Sequence, residues 1–131
     1  MKHFFAILGG MGTAATESYL RLLNQRTPAH RDQEYLNYVL INHATVPDRT
    51  AHILDAHEPS FLPALAEDVT QYSHLKPDFF VMVCNTAHYY YKNLTQLTTV
   101  PFVHMPDVAV DYLRQRYPEE QRVGLIATKG T

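Results

Sequence analysis

The feature that most constrains this chain is a repeated change of hydrophobic period. Phe4-Phe5-Ala6-Ile7-Leu8 is a short apolar run closed by Gly9-Gly10, and from Thr13 the spacing turns helical, with Ala15, Tyr19, Leu22 and Leu23 on one face. Tyr38-Val39-Leu40-Ile41 is a second apolar run, followed by a polar loop around Pro47-Asp48-Arg49-Thr50. Ser60 is placed to cap a helix reaching about Leu75, with Pro63 in its tolerant first turn. Phe79 to Val83 predicts a third strand and Asn85 to about Leu97 a third main helix. Phe102-Val103-His104 predicts a fourth strand, Asp107 to Tyr117 a fourth helix, and Val123 to Ala127 a fifth strand. Continuous apolar runs alternating with helices predict an α/β fold, a mostly parallel sheet covered by helices on both faces.

That architecture tells where to look for chemistry. In open parallel sheets, ligands bind outside the carboxyl ends of the strands. Four segments lie at those ends: Gly9 to Thr13, Asn42 to Thr50, Cys84 to His88, and Thr128 to Thr131. Composition narrows the ligand. A net charge of -2 gives no basic footprint for nucleic acid, and no apolar run approaches the roughly 18 residues of a membrane span. One cysteine permits no internal disulfide, which makes a reducing, cytoplasmic setting the expectation.

Cys84 stands where a strand hands over to a helix, so the amides of Asn85, Thr86 and Ala87 are first-turn donors without helical partners. A thiolate placed there gains hydrogen bonds and the favourable end of the helix dipole, and the same amides suit a carboxylate or phosphate. The competing reading is a buried, inert cysteine. His88, four residues on, offers a Cys-His pair but no visible orienting group or oxyanion hole. Neither Cys84 nor the histidines His43, His52 and His57 have metal-ligand spacing, so no metal site is expected. In LGGMGT the glycines permit either close approach to an anion or simply a tight strand-to-helix turn. Arg49 suits bidentate capture of a carboxylate, or an ordinary pair with Asp48 or Asp55. Tyr89-Tyr90-Tyr91 winds around a helix and reads as packing or subunit contact.

GGMGTAAT (9–16), NHATVPDRT (42–50), CNTAHYYYKNL (84–94), VPFVHMPD (100–107) and VGLIATKGT (123–131) together resemble the aspartate/glutamate racemase family, in its aspartate racemase branch. Thr13 departs from the proline usual after GGMG. The resemblance implies two similar α/β lobes with the site between them, one thiol from each lobe, and neither pyridoxal phosphate nor metal. Cys84 would then exchange the Cα proton on one face of an acidic amino acid. Asn85, Thr86 and Ala87 would hold the α-carboxylate, Arg49 the side-chain carboxylate, and Gly10, Met11 and Thr128 would line the cleft. The family usually forms homodimers.

The echo between FFAILGGMGT (4–13) and RVGLIATKGT (122–131) suggests a first lobe over residues 1–121 and the opening strand of a second over 122–131. The family's second cysteine has no counterpart in this sequence, so the isolated chain is expected to be a racemase lobe without useful activity. The alternatives left open are a one-thiol relative of the hydantoin racemase or decarboxylase type, and a non-catalytic domain that binds acidic amino acids.

Overall fold

Four of the five predicted runs pair into one sheet. The computed structural model describes residues 1–131 and orders the strands β2-β1-β3-β4, all parallel: β1 Phe5–Gly9, β2 Tyr38–Asn42, β3 Phe80–Met82 and β4 Phe102–Val103. The register sets Gly9 beside Asn42 and Leu8 beside Met82, so the carboxyl ends meet along one edge. β1 is central and every one of its residues is buried, which is why it reads as unbroken hydrophobic sequence.

Two cores follow from the period of two along each strand. Ala6, Leu8, Phe80 and Met82 point to one face, where they meet Phe61, Leu65 and Val69 together with Ala87 and Leu94. Phe5, Ile7, Val81 and Val83 point to the other, beneath Tyr19, Leu20 and Leu23. The helices are α1 Thr13–Arg26, α2 Arg49–Leu54, α3 Leu62–Ser73, α4 Tyr91–Thr95 and α5 Met105–Arg116, with 3-10 turns at Asp32–Glu34 and Thr86–Tyr90. No helix is long and apolar enough to cross a membrane.

Several sequence expectations are corrected. The inward face of α1 is Thr16, Tyr19, Leu20 and Leu23, whereas Ala15 and Leu22 are exposed. Buried Thr16 escapes a periodicity search because it is polar. Its Oγ1 accepts from the Gly10 N–H at 3.0 Å and donates to the Gly12 carbonyl at 3.0 Å, so its burial leaves nothing unsatisfied. Ser60 does not cap α3 directly; Phe61 is the boundary residue, and the Ser60 hydroxyl accepts from the Leu62 N–H at 3.2 Å. The helix expected over Asn85 to Leu97 is a 3-10 turn followed by the short α4. Helix α2 was not expected. Asp48 starts it by accepting from the Ala51 N–H at 2.9 Å, a standard N-cap.

Residues 123–127 form no strand. Val123, Leu125 and Ile126 are exposed, Ile126 fully, and pair with nothing in the four-stranded sheet. An apolar β-branched run becomes a strand only where a neighbouring backbone supplies its ladder.

Candidate functional site

At the carboxyl edge, a cavity of about 400 Å³ opens between β3, the first turn of α1, the start of α5 and residues 125–131. Its volume falls in the range of small-molecule sites. Cys84 lines it together with Val83, Asn85 and Thr86; Met11 and Ala15 form one side, Met105 another, and Leu125 to Thr128 with Thr131 close over them. No lining side chain is charged, and Cys84 is the only thiol. A wider groove of about 940 Å³ runs between α5 and residues 118–125, sharing only Asn85, Leu125 and Thr131 with the cavity.

The chain builds this cavity by ending β3 at Met82 and entering a 3-10 turn at Thr86. Cys84 and Asn85 sit between the two, and Cys84 is half-buried, one side of it against the core. Thr86, buried, aims its hydroxyl across the cavity: Oγ1 lies 3.1 Å from Thr128 Oγ1 and 2.9 Å from Thr131 Oγ1. The two distal hydroxyls are 3.0 Å apart, and the Thr131 N–H donates to the Thr128 carbonyl at 3.1 Å. Gly130 makes the approach close, since a Cβ there would stand 3.0 Å from the Thr50 Cα and 3.2 Å from the Thr86 Cγ2.

Of the residues singled out in the sequence, Met11, Cys84, Asn85, Thr86 and Thr128 are brought together around the cavity. Gly10 is not on its wall. Its φ is +88°, a Cβ would come within 2.5 Å of the His43 backbone, and its N–H is already spent on Thr16. Ala87, within the 3-10 turn, is wholly buried in the core. Arg49 lies outside the lining set, at the first residue of α2 and next to Thr50, which touches the Gly130 turn. Its expected partners Asp48 and Asp55 do not engage it. Nη1 donates to the carbonyls of Val46 and Pro47, both at 3.1 Å, which pins the guanidinium and leaves its remaining donors without a carboxylate. Sequence reasoning missed Ala15, Val83, Met105, Leu125, Ile126 and Ala127, apolar side chains that carry no signal of a site; Thr131 lay in the segment at the strand ends but was not singled out.

The histidines divide into structural roles. His88 meets the backbone of Cys84 rather than its thiol, with Nδ1 2.8 Å from the Cys84 carbonyl. Burial, reinforced by nearby His104, holds its pKa below the ordinary histidine value against the opposing pull of that hydrogen bond. His52 joins α2 to the 3-10 turn: Nδ1 is 3.0 Å from the Glu58 carbonyl and Nε2 2.7 Å from the Tyr90 hydroxyl. His43 Nδ1 lies 2.8 Å from Asp68 Oδ2, tying the end of β2 to α3. No group of three or more His, Cys, Asp or Glu side chains forms a cluster fit for a metal ion.

The family model described as Asp/Glu/Hydantoin racemase matches residues 8–131. Among solved structures, the aspartate racemase of Picrophilus torridus is similar with a TM-score of 0.80 at 29% identity, covering 88% of this chain and 48% of that one. An aspartate racemase homologue from Pyrococcus horikoshii shares the fold with a TM-score of 0.65 at 14% identity, covering 89% of this chain and 50% of that one. The chain therefore spans about half the length of these relatives.

Proposed function

Because the chain belongs to the Asp/Glu/hydantoin racemase family, we propose that it supplies one lobe of an amino-acid racemase, with aspartate as the first substrate to test. The observation that carries this reading is the position of Cys84, a lone thiol on the wall of an uncharged, small-molecule-sized cavity at the carboxyl edge of a parallel sheet. The 29% identity to an aspartate racemase supports the choice of substrate.

In this mechanism the Cys84 thiolate takes the Cα proton and becomes the thiol, while the electron pair spreads into the α-carboxylate. The Asn85 side chain and the first-turn N–H of Thr86 stabilise that added charge, the Thr86 hydroxyl being engaged with Thr128 and Thr131. Arg49, pinned by two carbonyls with donors to spare, is the candidate partner for the side-chain carboxylate. No cofactor is part of this scheme. Returning a proton to the opposite face needs a second acid, and no other titratable side chain lines this cavity. The chain alone is thus expected to exchange the Cα proton without inverting the centre.

The test is ¹H NMR of L- and D-aspartate in D₂O with wild-type and Cys84→Ala chains. Slow, Cys84-dependent loss of the Cα signal without antipode is the expected result. Exchange that survives Cys84→Ala would sink the thiol mechanism. The single thiol also fits a superfamily relative that protonates a decarboxylation carbanion from one face; a decarboxylated product would favour that reading.

A further inference from the structure

One imidazole beside the thiol takes no part in the proposed proton transfer. His88 is 9% exposed and is held from two directions. Nδ1 lies 2.8 Å from the Cys84 carbonyl oxygen, and Nε2 lies 3.3 Å from the Met105 backbone nitrogen. A carbonyl only accepts and a backbone N–H only donates, so a single protonation state serves both bonds: a proton on Nδ1 and a lone pair on Nε2.

We propose that His88 is a positioning residue for Cys84, its Nδ1–H tautomer clamping the carbonyl of the thiol-bearing residue to the first residue of α5. Cys84 falls between the end of β3 and the 3-10 turn Thr86–Tyr90, so no strand ladder sets the peptide plane that follows it. Met105, at the other end of the clamp, lines the same cavity. The ring itself is seated by its neighbours. Tyr91 stacks on it with centroids 6.1 Å apart, and His104 meets it edge-on at 5.1 Å. One imidazole thereby fixes two walls of the cavity, one of them carrying the sulfur.

The inference rests on the functional reading only in taking Cys84 as the reacting group, and its test reads thiol chemistry rather than turnover. The tautomer is read on the wild-type chain by ¹⁵N NMR of the histidine side chains, and Cys84 alkylation by iodoacetamide is followed in wild type, His88→Asn and His88→Gln. Asn keeps a donor near Nδ1 for the Cys84 carbonyl; Gln keeps an acceptor near Nε2 for Met105 but loses the bond to Cys84. The expected result is an Nδ1–H tautomer, with H88N alkylating within about twofold of wild type and H88Q changed roughly tenfold, because freeing the Cys84 carbonyl moves the thiol relative to the first-turn amides and the solvent access that set its reactivity. An Nε2–H tautomer would overturn the proposal even if a variant fails to fold. So would equal rates in the two variants, because loss of packing alone affects both alike. Absence of Cα exchange alongside the expected tautomer and alkylation pattern would count against the racemase reading and leave the clamp standing.

Discussion

Thr86 and Thr131 are 45 positions apart in the chain, yet their hydroxyl oxygens stand 2.9 Å apart across the cavity. With Thr128 they form a closed triangle of hydroxyls that fastens residues 128–131 over Cys84. Thr86→Val removes the hydroxyl with almost no change of volume. Amide exchange at Thr131 should accelerate, while global stability falls by only about 1 kcal/mol, the net worth of a hydrogen bond or two. Thr86→Ser should retain the protection. Unchanged exchange at Thr131 in T86V would show that the triangle does not hold the segment.

The glycine loop gives a paired comparison. Gly10 has φ +88° and its missing Cβ would strike the His43 backbone at 2.5 Å, whereas a Cβ on Gly12 meets nothing within 4 Å. Gly10→Ala should destabilise the fold by at least about 2 kcal/mol through strain and a clash with main chain that has nowhere to go. Gly12→Ala should stay within about 0.5 kcal/mol of wild type. Urea unfolding of the two variants checks both values.

His88 sets a pH dependence of known sign. Burial lowers its folded-state pKa, with His104 adding to the effect and the Cys84 carbonyl and Asp107 opposing it. A lowered pKa means that the stability contributed by this group is complete above the unfolded value of about 6.5 and is lost as the pH falls through the lower folded value. The groups around the ring are Cys84 and Tyr91 on its own segment and, from the end of β4 and the start of α5, His104 and Asp107. His104 Nδ1 lies 2.8 Å from Asp107 Oδ2 without an aligned hydrogen bond. The urea midpoint of wild type should drop between about pH 7.5 and pH 5.5, and the drop should be smaller in His88→Asn, which has nothing to protonate.

Arg49 carries the only cation that the proposed site uses. Lysine keeps the charge but cannot reproduce a planar fork, so Arg49→Lys should weaken aspartate binding by about 1.5–3 kcal/mol, on the order of ten- to a hundredfold in Kd. Calorimetry with L-aspartate checks this, with a ligand lacking the side-chain carboxylate, such as alanine, as the control. Equal losses for both ligands would mean that Arg49 shapes α2 rather than reads the substrate.

The sequence by itself determined a good deal of this protein. Alternating apolar and helical periods sufficed to predict the parallel sheet and to place Cys84, Asn85 and Thr86 at its carboxyl edge, because both periods are local properties of the chain. Glycine at position 10 was legible as special, but not the reason: only the structure shows its N–H committed to Thr16 and its α-carbon against His43. Arg49 looked equally ready to pair with Asp48, until the fold used that aspartate to cap α2 and turned the guanidinium onto two carbonyls. Residues 123–127 show the limit most clearly. Their composition favours a strand, but strand formation is a partnership between distant segments, and no strand of the sheet extends to them. Contacts such as Thr86 to Thr131 and His88 to Met105 likewise exist only once the sheet has aligned its strand ends. Local pattern thus selected the elements; tertiary packing decided which polar groups each would face, because partners 17 to 45 residues apart leave no period in a sequence.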